Sequence, residues 1–222
     1  IVDGVQYAAH GGITIDQYNI DGYAISPYKM YSRHGYGLAW VSDRLTKMNH
    51  EQLFDGPSEN WELGTRDTGS YATISNVVQY LEWLGEKIEN TESRSVKLYN
   101  AAKAIAAQET ALTDLMINGE DNIKGLKDLS GVEIIGGLKN PYRSGLVSFR
   151  INGTSSHLLV DFLNDKGIRT HVRKADHYSG NILDPLGWED CVRVSVCHYN
   201  SSEEIKSLLL ALNEFQLDAV TN

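Results

Sequence analysis

Ile1-Val2-Asp3-Gly4-Val5-Gln6, then Asp21-Gly22-Tyr23-Ala24-Ile25-Ser26-Pro27-Tyr28-Lys29-Met30, then Gly35-Tyr36-Gly37-Leu38-Ala39-Trp40-Val41 are the segments that decide the fold. Each holds a short apolar run next to a glycine or proline turn, the pattern of a strand bounded by tight connections. Residues 1–2 read as the end of a buried strand, and residues 24–26 and 37–41 as two further short buried strands. An acid that ends one strand and a lysine in the turn between two others fall at one edge of a sheet. In open α/β sheets, ligands bind at the edge formed by the carboxyl ends of the strands. A lysine becomes a nucleophile only where desolvation or a nearby cation lowers its pKa. Lys29, set among Ser26, Pro27, Tyr28 and Met30 between apolar strands, is a candidate for that role.

Outward from these segments, residues 42–70 are polar and contain Pro57. They are expected as loop, with one short helix around 43–53. In residues 71–90, Ile74, Val77, Leu81, Leu84 and Ile88 recur at three- and four-residue steps and predict a helix with one apolar stripe. Residues 95–118 repeat the pattern. Strands are expected at 132–138, 146–151, 169–173 and 192–199. A helix is expected at 155–165, stopped by Lys166-Gly167. Ser201-Ser202-Glu203-Glu204 has the form of a capping box opening a last helix. Strands alternating with helices from about residue 125 onward predict a small α+β domain.

Three motifs in order resemble class V aminotransferases and cysteine desulfurase-like proteins: Asp3-Gly4-x-Gln6-x-x-x-His10, Ser26-x-x-Lys29 and His34-Gly35-x-Gly37. Glu62-Leu63-Gly64-Thr65 is similar to that family's Glu-x-Gly-Thr loop. Arg193-Val194-Ser195 with Tyr199-Asn200 is similar to its C-terminal Arg-x-Ser and Tyr-Asn motif. The resemblance covers nearly the whole chain and implies an α/β fold of the pyridoxal phosphate (PLP)-dependent transferase, aspartate aminotransferase-like type. Residues 1–120 would be the later part of the large, cofactor-binding domain and 125–222 the small C-terminal domain. It implies PLP as cofactor, an amino acid as substrate and a homodimer as the assembly. Lys29 would bind the cofactor covalently and then act as general acid/base. Asp3 would pair with the pyridine nitrogen, Gln6 would donate to the ring's phenolic oxygen, and Ser26 would hold the phosphate. Thr65 would reach the phosphate of the partner subunit's cofactor, and Arg193 would clamp the substrate carboxylate with its planar fork. Taken singly, Asp3 also suits a turn, Lys29 a solvated surface and Arg193 a structural ion pair. Order and spacing together carry the family reading.

The pattern departs from the family at three places. Tyr28 precedes the lysine where desulfurases often have a phosphate-binding histidine, so a phenol there can donate a hydrogen bond without positive charge. Where desulfurases carry a persulfide-forming cysteine, this chain reads Ala175-Asp176-His177-Tyr178-Ser179-Gly180. Selenocysteine lyase, epimerase and aminotransferase chemistries stay open, with a desulfurase using a displaced cysteine as one alternative. Finally, the family's phosphate cradle lies before the Asp-Gly-x-Gln motif. The sequence is therefore expected to start inside a longer polypeptide, and a non-catalytic fragment or remnant that binds no PLP is the other alternative.

The bulk properties narrow the classes further. The 222 residues carry a formal net charge of −9, which argues against a nucleic-acid partner. No apolar run approaches the roughly 18 residues that span a bilayer, so no membrane partner is expected. The only cysteines, Cys191 and Cys197, stand about 20 Å apart if both lie on one strand, beyond disulfide reach. Two reduced thiols point to a reducing compartment, the cytoplasm. With no Cys-x-x-Cys pair, no metal site is expected.

Overall fold

The computed structural model describes residues 1–221; Asn222, the last residue of the expected C-terminal domain, lies outside the described residues. The chain divides into two compact units, Ile1–Ile105 and Ala106–Asn222.

The first unit is built on a three-stranded sheet of β1 (Val2–Asp3), β2 (Gly22–Ile25) and β3 (Leu38–Val41), in that order. β1 runs parallel to β2, with Val2 opposite Tyr23 and Asp3 opposite Ala24, whereas β3 is antiparallel to β2. These strands are not buried as expected: Ile1 is 89% exposed, Val2 37% and Trp40 40%. β1 forms an edge with no further strand hydrogen-bonded beside it among the described residues, which leaves Ile1 and Val2 at the margin of the sheet. Ser42 then caps α1 (Asp43–Thr46) by accepting from the Leu45 amide at 3.2 Å. Asp21 ties this corner down, accepting from Ser42 Oγ at 2.8 Å and Arg44 Nε at 2.9 Å. Those bonds, Arg44's first, hold its carboxyl at about 2. The helix expected to reach residue 53 stops at Thr46, because Met48 and Leu53 stay exposed and no apolar face supports further turns.

α2 (Thr68–Ile88) starts at Asp67, whose carboxylate accepts from the Ser70 amide and hydroxyl at 3.2 and 2.7 Å. α3 (Arg94–Asn118) follows. Of the expected α2 stripe, Val77 is buried, whereas Ile88, in the last turn, is 61% exposed. The contact between α2 and the first turns of α3 rests on Gly85. A Cβ there would lie 1.8 Å from the Lys97 carbonyl oxygen, which is backbone and cannot swing aside.

The second unit takes the C-terminal part of α3, a small hairpin of β4 (Gly119–Glu120) and β5 (Ile123–Lys124), and a four-stranded antiparallel sheet. That sheet comprises β6 (Val132–Ile134), β7 (Leu146–Ile151), β8 (His171–Lys174) and β9 (Asp190–Ser195), in the order β6-β7-β9-β8. The helices are α4 (Ser156–Asp165), the short α5 (Gly180–Leu183) and α6 (Ser202–Thr221). The expected capping box forms: Ser201 N donates to Glu204 Oε2 at 2.7 Å, and Glu204 N donates to Ser201 Oγ at 3.2 Å. One sheet face, with Val147, Phe149, Val192 and Val194, packs into a core with Leu159, Leu163, Leu208, Leu209 and Leu212. Fully burying side chains of this kind stabilises by about 1.5–3 kcal/mol each.

Two strands end earlier than the apolar pattern predicts. β6 stops at Ile134 because Gly136 and Gly137 both adopt positive φ, turning the chain. β9 stops at Ser195 because Asn200 closes a turn, its side chain accepting from the Cys197 amide and its amide donating to the Cys197 carbonyl, both at 2.9 Å. Cys197 therefore lies in a turn, and both cysteines are free.

Replacing Gly85 with alanine is expected to lower stability by about 1–3 kcal/mol, the usual cost of overpacking a close contact. Urea unfolding of the variant against the parent chain measures it, and an unchanged midpoint would refute the tight backbone approach.

Candidate functional site

The parallel pairing of β1 and β2 sends both strands toward the same edge. Asp3 is the last residue of β1, and Ser26 directly follows the last residue of β2. Ser26 begins a 3₁₀ turn, Pro27–Met30, that carries Lys29, and its carbonyl accepts from the Lys29 amide at 3.0 Å. The Ser26 side chain makes no capping hydrogen bond to this turn. Proline at the first position of the turn pre-sets φ, and Tyr31 ends it in the left-handed region at φ 70°. Lys29 Nζ lies 5.8 Å from the centroid of the Tyr28 ring, and the Tyr28 ring packs 4.9 Å from that of His34. The amine has no carboxylate ion pair among the described residues.

Asp3 is exposed, and its Oδ1 accepts from the Val5 amide at 2.9 Å. Gln6 is exposed at the start of the next 3₁₀ turn. A cleft of ≈ 300 Å³ opens beside Asp3, with Tyr7, Ile13, Tyr18 and Tyr23 in its wall. Lys29 and Ser26 do not line it. Burial, followed by the neighbouring Tyr7 and Asp3, pushes the Tyr23 phenol up.

A set of contacts that the motifs did not reveal joins the lysine turn to α2. Ser32 Oγ lies 2.5 Å from Tyr36 Oη and 2.6 Å from Thr73 Oγ1, and the Thr73 hydroxyl donates to the Ser70 carbonyl at 2.6 Å. Arg33 faces Asp67 at 3.8 Å. The cap of α2 is thus held against the segment that follows Lys29. Thr65, two residues before Asp67, is exposed in the preceding loop. Single hydroxyl residues at 32, 36 and 73 leave no spacing signal, because their meeting is a tertiary event.

In the second unit, Arg193 sits on β9 in register with Ser148 of β7 and His171 of β8. Alternation turns it away from the Val192–Val194 core face. Its Nε is buried without a hydrogen-bond partner. Burial, followed by the charge of Arg173, pulls its guanidinium below the usual arginine range. Arg173 lies opposite Cys191 and donates from Nε and Nη2 to Ser179 Oγ at 3.0 and 2.7 Å. The imidazole of His171 is held below 6.5 by partial burial of the ring, and after that by Arg193, Arg173 and Arg169. Cys191 is 1% exposed, and burial pushes its thiol up. A thiol so placed is a poor nucleophile, so nothing at Cys191 supports the displaced-cysteine alternative.

A family profile described as Aminotransferase class-V matches residues 1–208. The chain belongs to the class-V aminotransferase family. Among curated relatives, it is 28% identical to a probable cysteine desulfurase of Xylella fastidiosa, over 96% of this chain and 48% of that protein. It is 26% identical to cysteine desulfurase CsdA of Escherichia coli, over 96% and 50%. The chain spans about half the length of the curated relatives it matches. Among solved structures, a cysteine desulfurase from Thermococcus onnurineus superposes with a TM-score of 0.74 at 22% identity, over 97% of this chain and 52% of that one. Escherichia coli CsdA gives 0.70 at 22%, over 99% and 51%. These structures share the fold, which is the α/β, aspartate aminotransferase-like type expected from the motifs. No helix among the described residues is long and apolar enough to cross a membrane.

The imidazole of His171 should titrate below 6.5, and Arg193→Gln should move its midpoint upward by removing the largest charge that opposes protonation. Proton NMR of the histidine ring across pH 4–8 (roughly the range that brackets an unperturbed histidine) reads this directly. A midpoint that does not respond would show that the two side chains are not electrostatically joined.

Proposed function

We propose that the chain belongs to a PLP-dependent enzyme that acts at the α-carbon of an amino acid. The observation that supports it most is the parallel register of β1 and β2. It brings Asp3 and the turn bearing Ser26, Tyr28 and Lys29 to one sheet edge, with no carboxylate paired to the lysine amine among the described residues. This donor set fits PLP: an amine for its aldehyde, an acid for its ring nitrogen, and hydroxyls for its phosphate. Bound there, the cofactor supplies an electron-withdrawing ring that stabilises negative charge at the substrate's α-carbon.

The chain's own residues then divide the work. Lys29 is the covalent anchor, and its amine carries the proton to and from the α-carbon as general base and acid. Asp3 keeps the ring nitrogen protonated, and Gln6 donates to the phenolic oxygen. Ser26 and Tyr28 donate hydrogen bonds to the phosphate, the latter without adding charge. Thr65 serves the cofactor of the partner subunit in a homodimer, and Arg193 takes the substrate carboxylate bidentately. The relatives named above are cysteine desulfurases, yet the stretch from Ala175 to Gly180 holds no cysteine. The reading is therefore of lyase, epimerase or aminotransferase chemistry that needs no protein persulfide at that loop.

The test is a visible absorption spectrum of the purified chain with PLP, followed by borohydride reduction and peptide mapping. A yellow species trapped on Lys29 and missing in Lys29→Ala is the expected result. No band here or in a version lengthened at the N-terminus would overturn the cofactor assignment.

A further inference from the structure

Three guanidiniums, an imidazole and a hydroxyl share the polar side of the second sheet. Glu133 already pairs with Arg150 at 2.9 Å, which leaves Arg173 and Arg193, more cation than one substrate carboxylate requires. Ser148, Arg193 and His171 form one row across β7, β9 and β8, and the next row on the same face, two residues along, places Arg173 opposite Cys191. Arg193 has no carboxylate facing it, and its buried Nε has no acceptor among the described residues. An uncompensated buried cation is costly, so a ligand anion is the natural completion of this place.

A carboxylate engages one guanidinium bidentately, and Arg193 meets that need by itself. Arg173 then remains. Its bonds to Ser179 use Nε and Nη2 and fix the plane of the fork, while Nη1 has no acceptor among the described residues. Asp176 feels the Arg173 charge, but its Oδ1 is taken by the Tyr178 and Ser179 amides at 2.9 and 3.1 Å. Arg173 is thus oriented by a neutral hydroxyl, close enough to Arg193 for the two charges to repel.

We propose that the substrate carries a second anionic group on its side chain, a carboxylate or another oxyacid, and that Arg173 binds it while Arg193 binds the α-carboxylate. This rests on the reading of Arg193 as the carboxylate clamp. The two sites differ in their setting: Arg193 sits mid-sheet with an unpaired Nε, and Arg173 is braced on the β8 side by Ser179. A rigid, pre-oriented second fork would select a diacid over a monoacid of similar length, since a neutral or apolar side chain leaves the Arg173 Nη1 donor without an acceptor.

Calorimetric binding of succinate and butyrate to the full chain, with PLP present, tests it without any turnover. Succinate should bind about ten-fold tighter than butyrate, the return of one additional charge-assisted hydrogen-bonded contact. Arg173→Gln should bring that ratio to about one, with succinate losing more affinity than butyrate, while Arg193→Gln should weaken both ligands. Arg173→Lys, which keeps the charge but not the fork, should retain part of the preference, and it stands in if the glutamine variant misfolds. Equal binding of the two acids by the parent chain, or a preference that survives both Arg173 variants, overturns the second-anion site. If Arg193→Gln leaves butyrate binding unchanged, the clamp itself fails and this inference falls with it. If Arg193→Gln weakens butyrate but succinate shows no advantage, only the second-anion site fails.

Discussion

The pairing of Asp3 with Ala24 in parallel register is the constraint on which the arrangement of the first unit's candidate site depends. Parallel strands end on the same side, so an acid closing β1 and a turn leaving β2 have to share an edge. Two short strands of ordinary composition thereby gather an acid, a hydroxyl and a lysine from positions far apart in the chain. The 3₁₀ turn at Pro27–Met30 does the local positioning, with Pro27 setting the first dihedral. Around it, the hydroxyl cluster of Ser32, Tyr36 and Thr73 and the Arg33–Asp67 pair fasten the turn's continuation to the start of α2.

In the second unit the equivalent constraint is the two-residue period of β9. Val192 and Val194 point into a core with Phe149, Leu209 and Leu212, and this forces Cys191, Arg193 and Ser195 to the other face. The apolar face supplies stability and the polar face supplies charge, within a single strand. A one-residue slip would bury the arginine and expose the valines, so the core protects the register of the cationic face. Arg173 and His171 join that face only because β8 is the antiparallel neighbour of β9.

Much of this was legible along the chain. The helix patterns gave α2, α3 and α4 to within a few residues, because an apolar stripe at three- and four-residue steps has few other uses. The capping box at Ser201 and Glu204 formed as read, since its two hydrogen bonds are local. Where the structure departs from the sequence pattern, a neighbouring element is the cause. The strands of the first sheet look buried by composition, yet Ile1, Val2 and Trp40 are substantially exposed, because burial depends on what covers a strand. The apolar run after Ser195 looked like more strand until Asn200 closed a turn on Cys197.

The sequence by itself determined the family and the class of fold, and it identified Asp3, Gln6, Ser26, Tyr28, Lys29, Thr65 and Arg193 as the candidate site residues. These residues are what the family resemblance implies, and the resemblance rests on motif order and spacing, which are properties of the chain before it folds. Only the tertiary structure decided that Arg193 shares its face with His171 and Arg173, that Cys191 is sealed in, and that α2 and α3 meet at a glycine with backbone against backbone. Each of these depends on which elements become neighbours, and strand order and helix contact are fixed by burial of apolar surface across long separations in the chain.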